Sequence, residues 1–97
     1  MKIIYGGRGT GKTKAMFKIA RENHAVIITP NAHALKVKAQ GYGYNILNDF
    51  DIVDFEKFLP EMYCGRNIMF HKYDEIIKEY YFSGFDINVV GMTMTEE

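Results

Sequence analysis

A single cysteine, Cys64, stands in a chain of 97 residues. It excludes an internal disulfide and fits a reducing cytoplasm. Long apolar runs are missing too. None approaches the roughly 18–20 residues that cross a bilayer, and the short I-I-Y run after Lys2 is too brief for a secretory signal. No repeat or low-complexity stretch interrupts the chain, and arginine is scarce, with only Arg8, Arg21 and Arg66. The composition is globular, 47% hydrophobic against 25% charged, which excludes a disordered or fibrous chain. The length suits one domain covering residues 1–97. A domain of this size buries roughly 60–65% of its unfolded surface, so its core is thin.

Net charge is zero, but unevenly spread. Residues 1–40 carry eight bases against the one acid Glu22, giving +7; residues 41–97 carry four bases and eleven acids, giving −7. Either the basic half faces a polyanion such as nucleotide phosphates or nucleic acid, or the two halves pair or sit solvated. Without a broad basic excess, a dedicated DNA-binding domain has little support.

Apolar segments and breakers alternate in a strand–helix rhythm. A strand is expected over residues 2–5, a glycine-rich turn over 6–11, and a helix over 12–22 with Ala15, Met16, Ile19 and Ala20 on its inner face. A-V-I-I-T at residues 25–29 reads as a strand covered on both faces, stopped by Pro30. Asn31 suits the N-cap of a helix running to about Gln40, with Gly41 at its C-cap. Residues 42–53 are the least regular, with a short strand suggested at 45–47. Asp54 suits the cap of a short helix ending before Pro60, and Gly65 to Asn67 a turn. Further on, a strand is expected from Asn67 to Phe70, a helix over 72–83 closed by Gly84, and a last strand over 87–92. Strands separated by helices imply parallel pairing and an α/β three-layer sandwich of four to five mostly parallel strands.

Residues 6–13 read G-G-R-G-T-G-K-T, which satisfies G-x-x-x-x-G-K-[ST] with Gly6, Gly11, Lys12 and Thr13 at the fixed positions. The chemistry demands these types. A loop that wraps a phosphate with inward N–H groups needs glycines for positive φ and close approach. A helix opening behind it aims its N-terminal N–H groups at the anion. Lys12 is placed to reach β and γ phosphates, and the Thr13 hydroxyl to ligate Mg2+. Gly7, Arg8, Gly9 and Thr10 fill the variable part; Arg8 either contacts the phosphates or points to solvent.

On this motif the chain resembles a P-loop NTPase of the RecA-like type. With M-K-I-I-Y ahead of the motif, T-P-N after the second strand and M-T-M-T-E at the end, it is similar to small ATP-binding proteins encoded by bacteriophages and prophages of low-GC Gram-positive bacteria. The resemblance implies ATP with Mg2+ and a bacterial cytoplasmic setting. It also implies a layout in which the P-loop strand neighbours the last strand, and the strand bearing the second acidic motif lies beyond that. Carried over, Thr93 would be a polar sensor beside the γ-phosphate, although a threonine at a strand end needs no role.

The second acidic motif departs from the family. After N-I-M-F the expected Asp position falls on His71 and the expected Glu position on Lys72, and neither is a good partner for hard, oxygen-preferring magnesium. Three readings stay open. Asp74 and Glu75 serve as displaced catalytic acids, Asp74 also as a metal ligand; or the site binds nucleotide and turns it over slowly or not at all; or the acid comes from Asp49, Asp51 or a partner chain. Asp74 and Glu75 equally suit the N-terminal dipole of a helix. His24 and His33 lack metal-ligand spacing with His71, and Cys64 lacks an evident histidine partner. Three arginines do not furnish the lid of a small-molecule kinase; Arg66 suits a finger across an oligomer interface. Without an N-K-x-D signature, adenine is the default base. Tyr80, Tyr81, Phe82 and Phe85 read as core or interface, favouring self-association. The expected partners are thus a nucleotide and a protein or second copy completing the site, with a nucleic acid backbone as the alternative polyanion.

Overall fold

The computed structural model describes residues 2–6, 11–45, 49–72 and 88–95. In chain order the elements are β1 (Lys2–Gly6), α1 (Lys12–Glu22), β2 (Val26–Thr29), α2 (Ala32–Gly41), β3 (Asp51–Asp54), two short 3-10 turns (Phe55–Lys57 and Pro60–Tyr63), β4 (Asn67–Phe70) and β5 (Asn88–Thr95). The strands form one sheet in the order β1-β5-β4-β2-β3, and every pair is parallel. The result is an α/β-type fold with a radius of gyration of 12.4 Å, close to the ~12.5 Å typical of this chain length. Among the described residues no helix is long and apolar enough to cross a membrane.

The sheet separates two apolar clusters. Ile27 of β2 stands in register with Ile52 of β3 and Met69 of β4. These three join Met16, Phe17 and Ala20 of α1 and Ala32, Leu35 and Ala39 of α2 on one face. Val26, Ile28, Ile68, Phe70 and Met92 fill the other face beneath Phe58, with Tyr63 packed alongside. The alternation along β2 thus buries both of its faces, as its unbroken β-branched run requires. A bulge at Ile68/Met69 leaves Val90 as the extra residue between Val89 and Gly91. It lets Val89 and Met92 share a face although three positions apart.

Connection direction explains the layering. The links β1–β2 and β2–β3 both run toward the β3 edge, and their helices share one face. The link β3–β4 runs back, and its 3-10 turns fall on the other face. A constant crossover hand requires this reversal. The helix expected over 72–83 lies outside the described residues except for Lys72, which sits in a bend with φ of 58°.

Several local expectations are revised. Phe17, not Ala15, is the deep residue of α1: Met16, Phe17 and Ala20 are fully buried, and Ala15 is exposed. The choice is made by aromatic partners outside the helix. Phe17 stacks on Phe50 at 5.4 Å and meets Tyr42 and Tyr44 at 5.9 and 5.5 Å. Gly41 belongs to α2, and the left-handed glycine that ends the turn is Gly43, at φ 85°. The third strand is Asp51–Asp54, beyond the expected 45–47, of which residues 46 and 47 lie outside the described residues. Asp54 does not cap the 3-10 turn that follows it; its carboxylate accepts the Ala32 N–H at the start of α2.

Asn31 is the N-cap of α2, its side chain accepting the Ala34 N–H at 3.1 Å. With an exposed cap and no repacking involved, Asn31→Ala is expected to lower stability by about 1 kcal/mol. Urea denaturation checks it: a shifted midpoint at unchanged slope is the expected result, and an unmoved midpoint would count against the cap.

Candidate functional site

A wholly parallel sheet ends all its strands on one edge, where ligands of such sheets gather. At the amino edge Asn88 donates to Asn67, and Asn67 donates to the Asn23 carbonyl, both at 2.8 Å. The carboxyl edge carries the candidate residues. β1 ends at Gly6, and α1 opens at Lys12 after Gly11. Gly11 has φ of 78°, and a Cβ there would meet nothing within 4 Å. The glycine is therefore required by its backbone angle, not by crowding.

α1 gives its first intrahelical bond from Ala15 N–H to the Gly11 carbonyl at 3.1 Å. The N–H groups of Lys12, Thr13 and Lys14 come too early for an acceptor within the helix. The first turn holds no acidic residue to offset the positive end of the helix dipole. Thr13 is half-buried in that turn. Gly7, Arg8, Gly9 and Thr10 lie outside the described residues.

The centre of the edge holds a buried polar group. Thr29 and His71, which follow the apolar runs of β2 and β4, are 1% and 7% exposed, and Thr93 of β5 is fully buried. Thr29 Oγ1 and His71 Nδ1 share a hydrogen bond of 2.9 Å across 42 positions of sequence. The His71 N–H donates to the Ile28 carbonyl at 2.8 Å, and the Lys72 N–H donates to Thr93 Oγ1 at 2.9 Å. The end of β4 is thus fastened to β2 on one side and β5 on the other. Thr29→Val removes the hydroxyl from a site screened from water and should cost about 1–2 kcal/mol. A double-mutant cycle with His71→Phe, read by thermal unfolding, should show coupling of at least ~0.5 kcal/mol; strict additivity would deny the pair its role.

The remaining candidates fall as follows. Thr93 is not at the end of the last strand: β5 runs to Thr95, which pairs with Gly6, while Thr93 pairs with Ile4. Its hydroxyl already serves Lys72, because β5 extends three residues past the expected end. Asp49 and Asp51 are on the wrong edge to supply an acid. Asp51 starts β3 opposite Val26, the first residue of β2, and its carboxylate accepts the Ile52 N–H. Asp49 accepts the Asn45 N–H in the loop before it. Arg66, at the turn into β4, is on that amino edge as well. Asp74 and Glu75 lie outside the described residues, as do Tyr80, Tyr81, Phe82 and Phe85. Cys64 is exposed, its thiol directed at the Glu61 carbonyl. Among the described residues no three His, Cys, Asp or Glu side chains gather as a metal cluster.

Sequence reading missed the Thr29–His71 pair. Its only signal was a polar residue closing each of two apolar runs, and nothing local says that those strands are neighbours. No family model, no curated protein and no solved structure matches the chain.

Proposed function

We propose that this chain binds a nucleoside triphosphate, ATP by default, as a P-loop protein. One observation carries the reading: G-G-R-G-T-G-K-T starts on the last residue of β1 and ends in the first turn of α1, at the carboxyl edge of a parallel sheet. Gly6 and Gly11 let the loop close on the phosphates, and the opening N–H groups of α1 hold them. Lys12 neutralises the β and γ phosphates. Support also comes from the strand order, in which β5 separates β1 from β4, as in the RecA-like layout.

Magnesium needs only one or two protein oxygens besides the phosphates. The half-buried Thr13 hydroxyl fits as one of them, and Asp74 is the proposed second. Bound there, the ion would supply charge neutralisation to the phosphates. Turnover is proposed to be weak or to depend on a partner or second copy, in a bacterial cytoplasm and with a phage or prophage origin. One observation favours a second reading, binding without turnover: where an acidic residue would follow β4 stands His71, buried and bonded to Thr29. It offers no carboxylate to hold magnesium, and Lys72 after it offers none to orient a water.

Calorimetric titration with a non-hydrolysable ATP analogue, with and without magnesium, tests the proposal. Dissociation constants of about 1–100 μM support it. No heat at millimolar nucleotide sinks it. Salt-sensitive DNA binding that ATP does not displace would transfer the site to a nucleic acid backbone.

A further inference from the structure

We propose that Lys72 is a second phosphate-binding lysine, contacting the terminal phosphate of a bound nucleoside triphosphate; this rests on the nucleotide-binding reading above. Lys72 follows β4 on the carboxyl edge and is exposed. Its φ of 58° is left-handed, a conformation that costs a non-glycine residue about 1–2 kcal/mol. The backbone is held there by the bond from its N–H to Thr93 Oγ1, in the fully buried interior of β5. That bond also fixes its height on the edge. Thr93 is in register with Ile4, two residues before Gly6, where the phosphate motif begins.

The distances fit a shared anion. β4 and β1 are separated by β5 alone, so their ends stand about 10 Å apart. An extended lysine side chain reaches about 6 Å from Cα to Nζ, and a hydrogen bond to a phosphate oxygen adds about 3 Å. An anion lying over the ends of β5 and β1 is therefore within reach of Lys72 while its other oxygens meet the start of α1. Among the described residues no carboxylate of the neighbouring strand ends stands beside Lys72. Asp54, the acid closing β3, stands two strand spacings away on the opposite side and accepts the Ala32 N–H. The neighbouring polar groups Thr29, His71 and Thr93 are buried and bonded within the edge, so they do not cancel the charge.

The consequence concerns both the ligand and the ion. A lysine at the terminal phosphate makes triphosphate bind more tightly than diphosphate. It also supplies part of the charge that magnesium otherwise brings, so binding persists when the metal is chelated.

The experiment titrates the full chain with a non-hydrolysable ATP analogue and with ADP, in EDTA and in magnesium. Lys72→Met, Lys72→Arg and Lys72→Gly are run beside the wild type, each with its thermal midpoint. Lys72→Gly relieves the left-handed angle while removing the charge, so a loss of affinity in it cannot be ascribed to unfolding. In EDTA the wild type should bind the triphosphate at least about tenfold more tightly than ADP. Lys72→Met and Lys72→Gly should lose about ten- to a hundredfold toward the triphosphate and keep their ADP affinity, the range expected for a hydrogen bond between charged groups. Lys72→Arg should retain most of the preference. Unchanged constants in Lys72→Met overturn the proposal, as does wild-type binding that vanishes in EDTA. If the wild type binds neither nucleotide in either buffer, the nucleotide reading falls first, and Lys72 falls with it.

Discussion

Lys12→Ala is expected to weaken ATP binding at least about a hundredfold and to leave the fold intact. A hydrogen bond between charged groups contributes about 1.5–3 kcal/mol, and one ammonium shared by two phosphates makes two such bonds. Each 1.4 kcal/mol is about a factor of ten in the dissociation constant. Stability should hold because position 12 is the first residue of α1, where alanine is at least as good a helix former as lysine. Titration calorimetry and a thermal melt on the same sample separate the two effects. Wild-type affinity in the variant would remove the phosphate motif from any nucleotide site. A collapsed melting curve would mean that Lys12 has a structural duty instead.

Phe17→Ala should have the largest effect on stability, about 3–5 kcal/mol. The ring is fully buried and stacks nearly parallel to Phe50, at an interplanar angle of 4°. Tyr44 meets both rings, at 5.5 and 5.3 Å, and carries the Arg21 guanidinium over its face at 5.5 Å. Truncation leaves a hole between α1 and the segment that leads into β3, closed only if both shift. A chain of this length has about 5–15 kcal/mol of total stability, so the loss is a large share of it. The melting temperature should fall by roughly 15–30 °C. α1 also presents the candidate phosphate site, so the damage should reach it. Saturation with ATP at a hundred times its dissociation constant should restore about 2.7 kcal/mol. A loss under 1 kcal/mol would show that the aromatic cluster is not the support of α1.

Some of this architecture was legible because the signals are local. The apolar run ahead of Gly6 makes β1, and α1 opens at Lys12 as expected. V-I-I-T is buried on both faces as β2, and Asn31 caps α2 as its side-chain chemistry requires. In each case a local signal marks the element: an apolar run, the start of a helix, or a capping side chain. β3 was not legible. D-I-V-D has two acids around two β-branched residues and becomes a strand because β2 offers it a complete ladder. The same dependence on partners put Phe17 inward in place of Ala15. Helical spacing permits either face, and only Tyr42, Tyr44 and Phe50 decide between them.

The candidate site divides along the same line. Its proposed phosphate-binding half is written in eight consecutive residues, of which Gly6, Gly11, Lys12 and Thr13 are the types a loop around an anion requires. From sequence alone these determine the chemistry expected of the chain. The other half is made by strand order, which no local pattern encodes. Only the order β1-β5-β4-β2-β3 brings Thr29 beside His71, seats Lys72 on Thr93 and leaves one strand between Lys72 and the end of β1. It also removes Asp49 and Asp51 from the site by placing them at the opposite edge. The physical reason is that a parallel sheet sorts residues by which end of a strand they occupy and which strands are neighbours. Both are settled by burying two apolar faces at once, a condition the chain meets only when folded.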